Sequence, residues 1–173
     1  MLRTPRQRSC FVHLYGQHVK LTIVALGRKM PAWVQTGFTE YSKRMPPEAR
    51  IELIELKPEE RVGKSVEVLL ESEAVRINAA IPPQAERLVL DERGQPTTTR
   101  DLAQMLTTWM QEGVSPCFII GSADGLAASI KQAAARQLSL SGCTLPHGLV
   151  RVMLAEQLYR AWSLTQNHPY HRD

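Results

Sequence analysis

The sequence of 173 residues lacks the features that mark several large classes of protein. No run of about 18 apolar residues, the length that a membrane-spanning helix needs, escapes interruption by Arg, Glu, Pro or Gly. The three cysteines, Cys10, Cys117 and Cys143, are odd in number and show no Cys-x-x-Cys spacing. This usage argues against a disulfide framework or a zinc site and favours a reducing compartment. We therefore expect a soluble, cytoplasmic protein with no membrane segment and no bound metal ion.

The glycine-rich motifs that bind phosphate groups are also missing. Neither Gly-x-Gly-x-x-Gly nor Gly-x-x-x-x-Gly-Lys-[Ser/Thr] occurs in the sequence. The sequence therefore lacks the motifs that usually indicate binding of a dinucleotide or of a nucleoside triphosphate. A ligand without phosphates, held by backbone groups and apolar walls, would suit the loops of this chain better.

Acidic residues are absent from the first eighteen positions, which contain Arg3, Arg6 and Arg8. This segment supplies +3 of the net charge of +4 and leaves +1 for residues 19–173. Bulk charge therefore does not indicate nucleic-acid binding, which would need a local basic patch. The segment also lacks the apolar stretch of a secretory signal and precedes a clean strand. We interpret residues 1–18 as an extension outside the fold, with a functional basic arm as the alternative.

From Val19 onward, short β-rich runs alternate with helical patterns. The content of 43% hydrophobic and 22% charged residues is typical of a globular domain with a buried core. The predicted strands are 19–27, 50–57, 86–91, 115–121 and 138–141, and the predicted helices are 30–45, 65–80, 99–112, 127–137 and 146–166. Alternating β and α units with nearly continuous apolar strands predict a mostly parallel sheet with helices on both faces. We therefore expect one α/β domain over residues 19–173.

Three of the predicted strands end in loops that suit the close approach of a ligand. In an open α/β sheet, ligands bind beyond the carboxyl ends of the strands. The third strand ends in "LVLDERG", the fourth in "IIGSADG" and the fifth in "LSGCTLP". Gly121, Gly125 and Gly142 allow the backbone there to approach a ligand or to adopt a positive φ. A glycine after a strand is more often a turn residue, so this pattern alone does not identify a site.

Basic and aromatic residues concentrate in the last segment of the chain. The set comprises His147, Arg151, Tyr159, Arg160, His168, Tyr170, His171 and Arg172. Carboxylate or thiolate partners at the spacing of metal ligands are missing, which argues against a metal site. Such a patch can hold a phosphate and stack a nucleic-acid base. The alternative is a capping histidine at the helix start and a frayed tail around Pro169.

The last predicted helix is apolar around most of its circumference. Only a narrow strip formed by Glu156, Gln157 and Arg160 is polar, with Glu156 and Arg160 spaced to form an i,i+4 ion pair. A helix that is apolar on nearly all sides is buried on nearly all sides. A second copy of the chain packed on this helix would explain the pattern, and so would a central position in a monomer.

Several stretches together resemble the RlmH family of SPOUT RNA methyltransferases. They are "KLTIVALG", "WVQTGFTEY", "TLPHGLVRVMLAEQLYRAWS" and the tail "NHPYHR", and the resemblance covers residues 19–173. It implies a SPOUT-type parallel sheet with a C-terminal trefoil knot, which is an exception to the rule against knots. It also implies a homodimer that binds S-adenosylmethionine and methylates N3 of a pseudouridine in helix 69 of 23S rRNA, in the assembled ribosome.

The resemblance further implies roles for individual residues. By position in the motifs, the cofactor pocket comprises Leu90, Gly121, Leu140, Ser141, Gly142, Cys143, Thr144 and Leu145. His147 would orient the base or accept the N3 proton, and Arg151 would hold a phosphate or polarise a uracil carbonyl. RNA would be bound by Arg160, Tyr170, His171 and Arg172, with the tail residues acting across the dimer. One departure is Ser122, where many relatives have a second consecutive glycine.

Two other functions remain open at this point. A different small-molecule enzyme on a flavodoxin-like sheet would explain the βα alternation but would leave the basic, aromatic C-terminus unused. A non-catalytic ribosome-associated RNA-binding protein would use that patch but would not need the loop 140–145. Because residues 19–173 carry so little net charge, we expect weak affinity for naked RNA and recognition of an assembled ribosomal surface.

Overall fold

A computed structural model describes residues 18–170 and contains a parallel sheet covered by helices on both faces. The elements in chain order are β1 (Leu21–Leu26), α1 (Ala32–Ser42), a 3₁₀ turn (Pro47–Ala49), β2 (Ile51–Leu56), α2 (Val66–Ala80), β3 (Glu86–Pro96), α3 (Thr99–Glu112), β4 (Pro116–Ile120), α4 (Ala128–Gln132), β5 (Arg136–Ser139) and α5 (His147–Thr165). The expected α/β class and the alternation of strands and helices are confirmed.

The strands of the sheet lie in the order β2-β1-β4-β3-β5, and each neighbouring pair is parallel. The strands therefore all point the same way, and the loops after β4 and β5 lie beside residues 91–94, the part of β3 that leaves the ladder with β5. These are the three segments in which the sequence places the ligand site. The order of the strands thus brings together residues that are far apart along the chain.

Each face of the sheet carries its own apolar core, because successive side chains of a strand point to opposite faces. On β1, Leu21 and Ile23 pack against the cluster that includes α3 and α5, whereas Val24 and Leu26 pack against the cluster that includes α2 and α4. Burial on both faces explains why this strand is apolar at nearly every position.

Helix α5 lies between α1 and α3 and has no fully exposed residue from His147 to Thr165. Close packing on α1 is possible because Gly148 has no side chain: an ideal Cβ there would lie 3.2 Å from Cγ2 of Val34. Neighbouring helices of the same chain therefore bury part of the apolar circumference of α5, while Leu149, Val152 and Met153 stay partly exposed. The homodimer stays a prediction.

Helix boundaries follow the expected capping chemistry. The Ser65 side chain accepts a hydrogen bond from the N–H of Val68, as expected for an N-cap. Helix α3 spans the predicted residues Thr99–Glu112, and its cap, Thr98, exchanges hydrogen bonds with Asp101 in a capping box.

The largest errors in the predicted boundaries are at α4 and β3. The helix predicted for 127–137 ends at Gln132, and Arg136 and Gln137 instead begin β5. Pairing with β3 overrides the helical preference of the alanine-rich segment. The strand predicted for 86–91 continues to Pro96, because Leu138 of β5 pairs with both Leu90 and Gln95 while the residues between them leave the ladder.

Candidate functional site

A cavity of about 760 Å³ opens at the carboxyl ends of β3, β4 and β5. Seven of the eight residues expected to bind a cofactor line it, namely Leu90, Gly121, Leu140, Ser141, Cys143, Thr144 and Leu145. Gly142 lies in the same loop, exposed and outside the lining. The three strand-end loops therefore form one pocket in the fold.

The loop after β4 makes a turn too tight for a side chain at its first position. The N–H of Gly125 donates to the carbonyl of Ser122 at 3.0 Å. An ideal Cβ on Gly121 would lie 2.4 Å from the carbonyl oxygen of Gly125, a distance that real Cβ atoms do not show. Glycine at 121 is thus required by the turn. Ser122 directs its hydroxyl to Glu73, at 3.1 Å.

The loop 140–145 is held by its own small polar side chains. The Ser139 hydroxyl donates to the carbonyl of Ser141 at 2.8 Å, and the Ser141 hydroxyl accepts from the N–H of Cys143 at 2.9 Å. The Thr144 hydroxyl donates to Glu92 at 2.5 Å and so links this loop to the part of β3 that leaves the ladder with β5. These contacts explain how a loop with almost no charge keeps a defined shape.

One wall of the cavity is charged. Asp91 forms an ion pair with Lys131 and accepts a hydrogen bond from the N–H of Arg93 at 2.9 Å. Burial acts to raise the pKa of Asp91, but the contacts with Lys131 and Arg93 outweigh it and hold the pKa below its ordinary value. Asp91 is therefore a carboxylate at neutral pH.

His147 lies at the other side of the cavity, as the first residue of α5. Its ring lies close to the corner after β1, since an ideal Cβ on Gly27 would be 3.4 Å from Nε2 of His147. Burial lowers the pKa of His147, and the nearby positive charge of Arg151 lowers it further. The imidazole is consequently neutral near pH 7 and able to accept a proton.

Arg151 is placed differently from the expectation that it holds a phosphate or a uracil carbonyl. The residue is fully buried beneath the site. Its guanidinium donates to the Glu55 carboxylate at 2.6 Å and to the carbonyls of Leu26 and Gly27 at 2.8 and 2.9 Å. Nε has no partner. These three contacts fix α5 to the ends of β1 and β2 and occupy both terminal nitrogens of the guanidinium.

Arg160 and Tyr170, two of the expected RNA-binding residues, lie together at the far end of α5, with Arg160 on the helix and Tyr170 in the segment that follows it. The Arg160 guanidinium stacks over the Tyr170 ring at 4.8 Å, and both side chains contact the carboxylate of Glu156. His171 and Arg172 lie outside the described residues. His147 is about 20 Å from Arg160 along the helix, at 1.5 Å per residue. Within one chain, this patch and the cavity are therefore separate.

The family model described as "Predicted SPOUT methyltransferase" matches residues 19–171. The chain belongs to the SPOUT methyltransferase family. It is 56% identical over 154 residues to "Ribosomal RNA large subunit methyltransferase H" of Nitrosomonas eutropha, covering 89% of this chain and 99% of that one. The protein of the same name from Ralstonia pickettii is 57% identical over 155 residues, with the same coverage.

A solved structure agrees with this fold. The structure of "Probable Methyltransferase" from Bordetella pertussis Tohama I matches with a TM-score of 0.55 at 14% identity, over 83% of this chain and 96% of that one. The recognition from sequence and the fold class are confirmed. The trefoil knot and the assignment of residues 1–18 as an extension stay predictions.

Several residues of this SPOUT methyltransferase site were missed in the sequence. Asp91 was noted at its strand end but not assigned to the pocket, and Lys131 was not noted. Glu73 was missed although a signal existed, since it lies four residues from both Leu69 and Ile77, which are buried on α2. Within residues 18–170, no helix is long and apolar enough to span a membrane, and no three candidate ligands cluster as they would around a metal ion.

Proposed function

We propose that the protein uses S-adenosylmethionine to methylate N3 of a pseudouridine in helix 69 of 23S rRNA, in the assembled ribosome and in the cytoplasm. The ribosomal substrate is supported by the names of relatives that are more than half identical to this chain. The observation that carries the proposal is the cavity at the ends of β3, β4 and β5, with a neutral histidine in its wall.

The residues around the cavity fit S-adenosylmethionine. A volume of about 760 Å³ lies within the range typical of small-molecule sites. Leu90 and Ile120 supply apolar wall, and Gly121 leaves backbone accessible. Asp91 is paired with Lys131, but the lining also contains the carboxylates of Glu92 and Asp124. This combination suits a ligand with a flat base, a sugar and positive groups but no phosphate. When bound, the cofactor supplies an electrophilic methyl group.

His147 is the proposed base of the reaction. A neutral imidazole accepts the N3 proton and leaves on the ring nitrogen the electron pair that forms the new bond to carbon. The position of His147 at the cavity wall places this step beside the proposed methyl donor. Orientation of the two reactants and exclusion of water supply the rest of the acceleration.

Arg151 is assigned a positioning role in the same reaction. Because both terminal nitrogens of its guanidinium are occupied by Glu55, Leu26 and Gly27, it acts through His147, which lies one helical turn earlier on α5. The ion pair fixes the start of α5, and the charge of Arg151 adds to the effect of burial in lowering the pKa of His147. Loss of Arg151 therefore disturbs both the place and the protonation of His147.

A homodimer would join the two separate parts of the site. The patch of Arg160 and Tyr170 is about 20 Å from His147 within one chain. A second copy that brings its tail, including His171 and Arg172, to the cavity of the first would place RNA-binding groups beside the base. We include this arrangement in the proposal.

Two measurements test the function. Calorimetric titration with S-adenosylmethionine should show one site per chain, and labelled methyl groups should pass to ribosomes from a methylation-deficient strain. Absence of cofactor binding would contradict the transferase. Binding of cofactor and ribosome without transfer, at every pH tried, would instead favour a non-catalytic RNA-binding protein.

A further inference from the structure

Glu73 of α2 is a carboxylate buried within the fold and outside the cavity lining. The residue is 1% exposed, and no lysine or arginine forms an ion pair with it among the contacts of the described residues. Its two oxygens have separate partners. Oε1 accepts from the backbone N–H of Glu59 at 2.9 Å, and Oε2 accepts from the Ser122 hydroxyl at 3.1 Å. The side chain thus connects the β2–α2 loop with the loop after β4.

The same two loops are joined at a second point. Arg61 of the β2–α2 loop forms an ion pair with Asp124 of the loop after β4, at 2.7 Å. Glu59 in turn pairs with Lys64 and Arg76, so the β2–α2 loop is itself tied to the helix that carries Glu73. Movement of the loop after β4 is therefore resisted from outside the cavity.

We propose that Glu73 is a positioning residue for cofactor binding, holding the tight turn 121–125 in the shape that receives S-adenosylmethionine. The inference rests on the proposed placement of the cofactor in this cavity. Ser122 follows Gly121 directly, and both residues line the cavity. A hydrogen bond that fixes Ser122 also fixes the direction of the backbone groups of Gly121.

Burying a carboxyl group at position 73 costs free energy of folding, which indicates that Glu73 has a role beyond packing. Leu69 and Ile77, one turn away on either side, show that the surrounding face of α2 is apolar. Burial raises the pKa of Glu73, although the Ser122 hydroxyl acts to lower it. A leucine would fill the position without that cost, but it would leave the N–H of Glu59 and the hydroxyl of Ser122 without this acceptor.

Three variants separate hydrogen bonding from charge and packing. Ser122→Ala removes one contact and leaves the helix untouched. Glu73→Leu removes both contacts. Glu73→Gln keeps both, since its oxygen accepts from Glu59 and its amide donates to the Ser122 oxygen. A matched control is Ser129→Ala, which removes a similar contact to Glu71 on the same helix, at 3.1 Å but exposed and away from the cavity.

The experiment measures S-adenosylmethionine affinity by calorimetry, together with KM and kcat on ribosomes. We expect Ser122→Ala and Glu73→Leu to weaken affinity and raise KM for the cofactor by about tenfold, the scale of one hydrogen bond to a charged acceptor, with little change in kcat. Glu73→Gln and Ser129→Ala should stay within about twofold of wild type, because both variants retain the hydrogen bonds that join residue 73 to Glu59 and Ser122.

Wild-type affinity in Ser122→Ala would overturn the inference, even if Glu73→Leu fails to fold. Equal loss in Glu73→Gln and Glu73→Leu would also overturn it, since charge rather than hydrogen bonding would then be responsible. Failure of the wild-type protein to bind S-adenosylmethionine is a different result and would contradict the proposed function itself.

Discussion

Arg151 and Glu55 form an ion pair of 2.6 Å although 96 positions separate them in the sequence. The arginine is fully buried, whereas the side chain of Glu55 is 27% exposed. This pair, together with the carbonyls of Leu26 and Gly27, ties the first turns of α5 to the ends of β1 and β2. The helix that begins with His147 therefore starts at a fixed place beside the cavity.

Replacing Arg151 by Ala should destabilise the protein by about 3 kcal/mol, the lower end of the range for breaking a buried ion pair. The lower end applies because water can reach Glu55. Urea unfolding measures the change. Arg136→Ala is the control, since Arg136 is exposed and lies 3.7 Å from Glu86; its loss should cost about 0–1 kcal/mol. Equal effects of the two substitutions would contradict the role given to Arg151.

Replacing His147 by Ala should abolish methyl transfer while leaving S-adenosylmethionine affinity within about threefold, a change of less than 1 kcal/mol. The expectation follows because His147 is the proposed base and only one of many residues lining the cavity. Single-turnover transfer to ribosomes and calorimetry measure the two properties. Transfer at the wild-type rate would remove His147 from the mechanism.

The acid side of the pH profile should report His147. Its pKa is lowered from 6.5 by burial and by Arg151, so the imidazole stays neutral down to a pH below 6.5. Below its pKa the protonated ring cannot accept a proton, and kcat/KM falls as pH decreases. Stability depends on pH in the same direction. Because the pKa of His147 in the folded protein lies below 6.5, the unfolded protein takes up the proton first, and the free energy of unfolding decreases as pH falls from 6.5 through the folded-state pKa. An acid limb centred above 6.5 would disagree with the assignment.

Gly94 should tolerate no side chain, because an ideal Cβ there lies 2.7 Å from the carbonyl carbon of Leu138. Gly94→Ala forces β3 and β5 apart and should cost about 1–3 kcal/mol. Gly142→Ala is the matched control for stability, since no heavy atom lies within 4 Å of its ideal Cβ. Thermal unfolding of both variants compares them. A stable Gly94→Ala protein would indicate that the close approach of β5 is not required.

The fold followed from the sequence where the determinants are local. The period of apolar residues identified α3 with its observed ends, and the strand-end loops identified the cavity. Arg136 and Gln137 were assigned to a helix because their pairing partner, β3, is remote in the sequence. The same reason applies to Arg151, whose partners on β1 and β2 are invisible to any local pattern. The places of Arg136, Gln137 and Arg151 depend on burial and on contacts with residues remote in the sequence, and residue type alone does not predict them.

The central claim is that this chain transfers a methyl group from S-adenosylmethionine to a pseudouridine of 23S rRNA. Mass mapping of rRNA from methylation-deficient ribosomes, before and after incubation with the protein and S-adenosylmethionine, tests it most directly. The account predicts one added methyl group, on N3 of a pseudouridine in helix 69, and none with the His147→Ala protein. An unchanged map with wild-type protein, or a methyl group on another class of nucleotide, would contradict it.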